Sequence, residues 1–518
     1  MEKYKLMEYT KCLQEERQIL EDCSIQILKD ESILKIAYNS NEVTAKTLFV
    51  CKGLKFKEEY LKQAVNNGAI AYISEKKYEV EIPCILVKNV QIALSIVSAK
   101  YFSYPAKKLN IIGITGTKGK STTTYYIKYI LDEYAKRENK KNTGIISSID
   151  TYDGILNFES HITTPESLDL QNNFNNAVTS GIKNIVMEVS SQALKYGRVH
   201  NVDFNYGLFL NISEDHISPI EHPDFEDYFN SKLKIFSHTN IACVNLDTDA
   251  KDMVEEIAKR DSKRVITFST KDKSADVYGY NIRKEGFNTV FSVKTCKFDK
   301  EFMLTMPGLF NVENALGAIC IAIEMEIPED VIYEGLKKAK SSGRMEVHYS
   351  NDKKIIAIVD YAHNKLSFEK LYESTKNEYP DRRIITVFGS AGRKAFLRRR
   401  DLGLLAGKNS DKVYLTAEDP GTEPVEDISK DIAQYVKIYN DNFEMIADRG
   451  EAINAAINTA INEYDKTVIL VTGKGNETRQ KIGNEYIPCK TDIEYVKMFL
   501  KEYDETIKQN KTKQNKIK

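Results

Sequence analysis

The sequence predicts an α/β protein of three domains: a central and a C-terminal domain, each a parallel sheet covered by helices, and a smaller α/β N-terminal domain. Three observations predict it. The chain has 518 residues, too many for one core at roughly 150 residues per domain. From about residue 110 onward, apolar runs of strand length alternate with helical patterns, the signature of parallel strands covered on both faces. Charge is balanced, with 74 basic against 75 acidic residues, and 42% of residues are hydrophobic. That balance suits packed cores and argues against nucleic acid or an anionic membrane as a partner.

The elements follow in order. Residues 1–107 mix helical patterns with the short strands "KTLFVCKG", "AIAYISE" and "IPCILVKN". They end at "AKYFSYPAKKLN", where Pro105 and a lysine pair read as a linker. Residues 108–343 open with the strand "NIIGITG" and continue through "NIVMEVS", "YGLFLNIS" and "IACVNLD". Residues 344–505 repeat the alternation with "KIIAIVDYAH", "RRIITVFGSAG", "DKVYLTAEDP" and "KTVILVTGKGN". Ligands of open α/β sheets bind outside the carboxyl ends of strands, so the turns after these four strands are expected to share one site. The polar, basic end, 506–518, is expected to be disordered. Eight scattered cysteines without a CxxC pair suggest reduced thiols in the cytoplasm. The charged start and the lack of an apolar run near 20 residues predict neither a signal peptide nor membrane insertion.

The chemistry concentrates in "IIGITGTKGKSTTTYYI". A loop between a strand and a helix N-terminus aims backbone N–H groups and the positive helix end at one place, which suits phosphate. Gly113, Gly116 and Gly119 let the backbone come close, Lys120 supplies a point charge, and Ser121 can ligate Mg²⁺. The usual spacing G-x-x-x-x-G-K-[ST] would need glycine at 114, which is Ile114.

Gly116-Thr117-Lys118-Gly119-Lys120-Ser121 resembles the ATP loop G-T-x-G-K-[ST] of the Mur ligases, and the resemblance runs through nearly the whole chain. "HITTPESLDL", "MEVSSQALKYGRV", "NISEDHI", "YFNSKLKIF", "MPGLFNVENALGAI", "SGRMEVH", "IVDYAHN" and "GKGNE" are similar to blocks of the third ligase type, in order. It implies a central P-loop-type domain and a C-terminal Rossmann-like domain that closes on ATP. The implied reaction is ATP-dependent amide formation: a carboxylate of UDP-N-acetylmuramoyl-L-alanyl-D-glutamate becomes an acyl phosphate, and an amino acid attacks it.

The resemblance assigns residues. Gly116 to Ser121, Thr122, Asn314, Arg344, Asp360 and His363 fall on the ATP side. Ser121, Glu188, His216 and Lys232 fall on the Mg²⁺ side, with Lys232 carbamylated, and Lys120, Glu188, His216 and Lys232 are the expected catalytic set. Considered alone, Lys232 reads equally as a solvated helix lysine like Lys234, and Asn314 as a helix cap. Ser40, Thr163, Thr164, Ser190 and Arg198 are implied to hold the UDP-linked substrate; guanidinium suits phosphate. Asn39 and Asn41 flank Ser40 where the family has an acid and an arginine, and Gln192 replaces a histidine.

Lys394, Glu418, Asp419, Gly421, Gly473 and Glu477 are implied to face the incoming amino acid. Diaminopimelate-adding members carry D-N-P-R; here Glu418-Asp419-Pro420-Gly421 puts glycine in the arginine's place. An acidic pair suits an ammonium, which favours L-lysine. Diaminopimelate remains an alternative through the cations of Arg393 to Arg400, as does a non-catalytic nucleotide-binding paralogue. A monomer is expected.

Overall fold

A computed structural model describes residues 4–22, 30–53, 56–160, 162–214, 217, 221–286, 288–306, 308–393 and 396–517. Three sheets carry the chain, with a small hairpin near its end. The first holds β1 (Ile19–Asp22), β2 (Lys35–Ala37), β3 (Thr47–Val50), β4 (Ala69–Ser74) and β5 (Cys84–Val87), in spatial order β1-β5-β4-β3-β2. Its alternation is that of a strand buried on both faces. Leu48 and Val50 join one core with helices Leu6–Glu15 and Val90–Tyr101, while Phe49 and Tyr72 join another with helix Glu58–Asn66.

The second sheet comprises β6 (Asn110–Thr115), β7 (Gly144–Ile146), β8 (Asp150–Tyr152), β9 (Asn157–Glu159), β10 (Asn184–Glu188), β11 (Phe204–Phe209), β12 (Thr239–Asn245), β13 (Arg264–Ser269), β14 (Val277–Glu285), β15 (Asn288–Lys294) and β16 (Asp299–Leu304). Its order is β16-β15-β14-β13-β12-β11-β6-β10-β7-β8-β9. β6 runs parallel to both neighbours, β10 and β11. The chain leaves β6 toward opposite sides in turn, so the carboxyl end of β6 is a topological switch point, where a crevice opens. The Gly116–Ser121 loop lies there.

The third sheet contains β17 (Glu346–Tyr349), β18 (Ile355–Asp360), β19 (Arg383–Phe388), β20 (Lys412–Leu415), β21 (Phe443–Met445) and β22 (Thr467–Thr472), ordered β17-β18-β22-β19-β20-β21. All pairs are parallel except the edge pair β17–β18. β22 is buried along its whole length, because helices cover both faces. A hairpin, β23 (Arg479–Ile482) with β24 (Glu485–Pro488), follows.

Contacts divide the chain into two compact units. One comprises Met1–Tyr280, Ser292–Lys300 and Glu313–Leu336; the other comprises Asn281–Phe291, Glu301–Val312 and Lys337–Lys518. The N-terminal sheet falls in the first of these units together with the central sheet. The terminal helix runs Asp492–Ile517, so the disorder expected from 506 onward is replaced by helix. Lysine, glutamine and asparagine are polar, but a helix anchored by its buried first turns can carry them outward. Among the described cysteines, Cys51, Cys84, Cys243 and Cys320 are buried free thiols, Cys12 and Cys489 are half-buried, and Cys296 is exposed. No helix among the described residues is long and apolar enough to cross a membrane.

Candidate active site

Gly119 stands at the N-cap of helix Lys120–Arg137 with φ +85, a left-handed conformation that a side chain resists. A Cβ there would also collide with the Asn314 side-chain oxygen. Asn314 therefore lies directly over the loop; it is buried and sits inside helix Asn311–Glu324 rather than at its cap. Lys120 Nζ donates to the Gly116 carbonyl at 2.9 Å and the Thr117 carbonyl at 3.2 Å. The ammonium is held by the loop's own carbonyls. Asn211 braces the loop from β11: its Oδ1 accepts from Lys118 N at 2.9 Å, and its Nδ2 donates to the Lys118 carbonyl at 3.2 Å. Thr122 follows in the first turn of the helix.

Glu188 ends β10 with its side chain 1% exposed. Its Oε1 accepts from Ser148 N at 2.9 Å and from Ser148 Oγ at 3.2 Å, and Ser148 Oγ lies 3.1 Å from Ser121 Oγ. A carboxylate and two hydroxyls in one line form an all-oxygen donor set, which fits a hard cation such as Mg²⁺. Ser148, in "IISSID", escaped the sequence reading because nothing in its spacing marks it. His216 and Lys394 lie outside the described residues.

Lys232 is 2% exposed, on helix Phe225–Leu233. Its Nζ donates to the Gly116 carbonyl at 2.9 Å and sits 4.7 Å above the centre of the Tyr228 ring. The solvated-lysine alternative is excluded by this burial. Tyr228 Oη reaches Thr117 Oγ1 at 3.1 Å, so the Tyr-x-x-x-Lys spacing places both residues on the loop.

Thr164 Oγ1 donates to the Glu188 carbonyl at 3.0 Å and accepts from Ser190 N at 3.0 Å. Arg198 Nη1 donates to the Thr164 carbonyl at 3.1 Å. Thr163 is half-buried beside them. Ser40 stands apart from that cluster: its Oγ donates to Gln63 Oε1 at 2.8 Å. Gln192 keeps a hydrogen bond, to Glu221 Oε1 at 3.3 Å. His222 bridges Ser191 Oγ at 2.9 Å and Asp227 Oδ2 at 2.6 Å. This Ser–His–Asp line is buried at Ser191 and His222, so it ties helix Ser191–Lys195 to helix Phe225–Leu233 rather than presenting a nucleophile.

The second unit holds a different cluster, at the carboxyl ends of β18, β22, β19 and β20 as anticipated. Glu418 is buried, and its Oε2 has no hydrogen-bond partner. A Cβ at Gly473 would stand 3.0 Å from that oxygen. Burial pushes the Glu418 carboxyl up to about 7, against the lowering pull of Arg398 and Arg449. Asp419 differs: its Oδ1 receives Lys474 Nζ at 2.9 Å and Lys481 N at 3.0 Å. Lys474 also pairs with Glu477 at 2.7 Å, and Glu477 accepts from Tyr361 Oη at 2.9 Å. Burial works to lower Lys474, but Glu477 and Asp419 outweigh it and keep the ammonium charged. The acidic pair expected to meet an ammonium is thus one carboxyl whose Oε2 makes no hydrogen bond and one carboxylate already paired with Lys474. Lys474 and Glu477 both lie inside the quoted "GKGNE" block, yet the other partner, Asp419, is distant in sequence.

Gly421 has φ +57 and pairs with the hairpin: its N–H donates to the Lys481 carbonyl at 3.0 Å. In the basic stretch, Arg399 is locked by Glu423 at 2.8 Å and Asp431 at 3.2 Å. Arg398 is the cation toward Glu418, at 4.0 Å. Arg449 donates to both oxygens of buried Asp492, at 2.6 and 2.7 Å, and to the Ala417 and Thr472 carbonyls. Arg344 stacks 4.5 Å from the Tyr361 ring centre. Asp360 receives Met345 N and Ala362 N, each at 2.7 Å, and His363 Nδ1 lies 2.8 Å from the Tyr361 carbonyl.

A phosphate loop at a switch point, with a buried carboxylate and hydroxyls beside it, defines the nucleotide-binding core of an ATP-using enzyme. The chain belongs to the Mur ligase family. Residues 114–322 match the Mur ligase middle domain, and 343–475 match the Mur ligase glutamate ligase domain. It is 35% identical to a UDP-N-acetylmuramoyl-L-alanyl-D-glutamate–L-lysine ligase of Enterococcus faecalis, over 91% of this chain and 92% of that one. It is 36% identical to the ligase of that name from Streptococcus pneumoniae, over 86% of this chain and 89% of that one. The fold is similar to a solved UDP-N-acetylmuramoyl-L-alanyl-D-glutamate–2,6-diaminopimelate ligase, with TM-score 0.67 at 22% identity, covering 97% and 99% of the two chains. It is also similar to MurF from Acinetobacter baumannii, with TM-score 0.61 at 19% identity, covering 91% and 96%.

Proposed function

We propose that the protein is a cytoplasmic, monomeric ligase that adds L-lysine to UDP-N-acetylmuramoyl-L-alanyl-D-glutamate, with ATP and Mg²⁺, in peptidoglycan precursor synthesis. The observation that carries the choice of lysine is the buried, unpartnered Glu418 Oε2, with Gly421 where diaminopimelate-adding relatives have arginine. An ammonium satisfies that oxygen; a distal carboxylate would meet it with repulsion.

Each residue has a task in this reading. The loop amides and Lys120 hold the triphosphate, with Lys120 exchanging its carbonyl partners for phosphate oxygens. Glu188, Ser121 and Ser148 hold Mg²⁺, joined by His216. Bound Mg²⁺ supplies charge neutralisation between the anionic substrate carboxylate and the triphosphate. Thr163, Thr164, Ser190, Arg198 and Ser40 keep the UDP-linked substrate in place, and Arg344, Asp360, His363 and Asn314 serve the nucleotide. Glu477 receives the incoming amino group. Lys232 carries a carbamate: its amine adds to carbon dioxide and releases a proton, leaving an anion. A carbamate nitrogen keeps one N–H, so the bond to the Gly116 carbonyl survives the modification.

Product mass after incubation with ATP, Mg²⁺, the UDP-muramoyl dipeptide and one of L-lysine, meso-diaminopimelate or L-ornithine tests the proposal. Product with lysine alone is expected. Product only with diaminopimelate would assign Arg398 to the distal carboxylate, and no product would favour a non-catalytic paralogue.

A further inference from the structure

Glu166 holds two cations from different layers of the first unit. Its Oε2 pairs with Lys52 Nζ at 2.6 Å and its Oε1 with Arg198 Nη2 at 2.8 Å. The three side chains are only 14%, 17% and 18% exposed for Lys52, Glu166 and Arg198. Lys52 follows β3 of the N-terminal sheet, whereas Arg198 follows helix Ser191–Lys195 of the central layer. Lys52 is further fixed 4.8 Å over the Tyr38 ring, whose Oη donates to Asp169 Oδ2 at 2.7 Å.

Glu166 also occupies the N-cap of the 14-residue helix Ser167–Ser180, yet its side chain makes no capping hydrogen bond. A carboxylate at an N-cap ordinarily accepts from the first-turn N–H groups. Here it turns to the cations instead, and the positive end of the helix stays beside them. Asp169, in the first turn of the same helix, adds a second carboxylate, but it is held by the Tyr38 hydroxyl, so Glu166 alone bridges the two cations. A diphosphate carries oxygens enough to take both cations from Glu166, with guanidinium and ammonium as matched donors.

We propose that Lys52 is a second diphosphate-binding cation for the nucleotide-linked substrate, and that Glu166 is an internal stand-in which holds Lys52 and Arg198 in place until a nucleoside diphosphate displaces it. The proposal rests on the reading of the substrate as UDP-linked. Because Lys52 comes from the N-terminal sheet and Arg198 from the central layer, the diphosphate would join the two layers through the same cations that Glu166 joins without it. A purely structural ion pair is the competing account: it predicts that losing either partner damages the site alike.

The test measures UDP binding by calorimetry, and KM for the UDP-muramoyl dipeptide and for ATP, in the full chain carrying Lys52→Met or Glu166→Gln. Lys52→Met is expected to weaken UDP and raise the dipeptide KM about tenfold, leaving the KM for ATP in place. Glu166→Gln is expected to do the reverse, tightening UDP about two- to fivefold as the competing charge disappears. If Glu166→Gln weakens UDP as Lys52→Met does, or if neither variant moves it, the stand-in is refuted. UDP binding with these opposite shifts, but without any amide product from the wild type, would uphold the seat and refute the ligase reading. Product with unchanged UDP affinities would do the opposite.

Discussion

The phosphate loop of the first unit and the acidic pocket of the second solve the problem of buried charge in different ways. In the loop, Lys120 and Lys232 rest on carbonyls of the loop backbone itself, at 2.9 Å from Gly116 in both cases. In the pocket, Lys474 and Arg449 rest on carboxylates instead: Glu477 from the same turn as Lys474, and Asp419 and Asp492 from others. Neutral carbonyls release a cation at modest cost when a phosphate arrives. Paired buried carboxylates do not, since each would be left as an uncompensated charge. Under the proposed function, Lys120 is thus held for exchange of partners and the cations of the pocket for permanence, with Glu418 as the exception inside the permanent frame.

That contrast can be broken at its strongest point first. Arg449→Met leaves Asp492 buried without its partner and is expected to cost about 3–5 kcal/mol of stability, read by urea unfolding. Lys120→Ala should leave the unfolding midpoint nearly unchanged while lowering ATP-dependent product formation at least about a hundredfold. If Lys120→Ala were as destabilising as Arg449→Met, the distinction between exchangeable and permanent cations would fail.

Glu418 sharpens the comparison through pH. Its folded value, about 7, stands above the ordinary 4.5. A raised carboxyl contributes stability that is complete below 4.5 and is lost as pH rises through about 7. Urea unfolding of Glu418→Gln across that window should show a shallower fall than the wild type. Ionisation also creates the charge that an ammonium needs, so the wild-type KM for lysine should fall as pH rises through 7, and Glu418→Gln should remove that dependence. A smaller, local control is Asp448, whose side chain accepts from Glu451 N at 2.8 Å at the head of helix Arg449–Asn462. Asp448→Ala should cost about 1 kcal/mol in the same unfolding assay.

The two regions also differ in how far the sequence discloses them. The loop is contiguous, so strand, glycines, lysine and serine were readable together, and the Tyr228–Lys232 spacing carried Lys232 to the same place. The pocket was legible only as a location, the carboxyl ends of four strands. Which acid keeps an open oxygen depends on Lys474 reaching Asp419 in a distant turn, and no local pattern encodes that choice. Ser148 was missed for a related reason: it enters the site through the 2.9 Å bond from its backbone N–H to Glu188, which no spacing announces. The antiparallel edge β17 and the hairpin β23–β24 were absent from the alternating pattern, because short half-buried or exposed strands lack the apolar runs that marked the others.

The distribution of thiols gives this molecule a graded chemical clock. An alkylating reagent should take Cys296 at once and Cys12 and Cys489 more slowly, following their exposure. Cys51 and Cys84 in the N-terminal sheet layer, and Cys243 and Cys320 in the central layer, become reactive only when their surroundings open. The ratio of their labelling rates, with and without a nucleotide, would reveal which layer breathes first and which one a substrate holds shut.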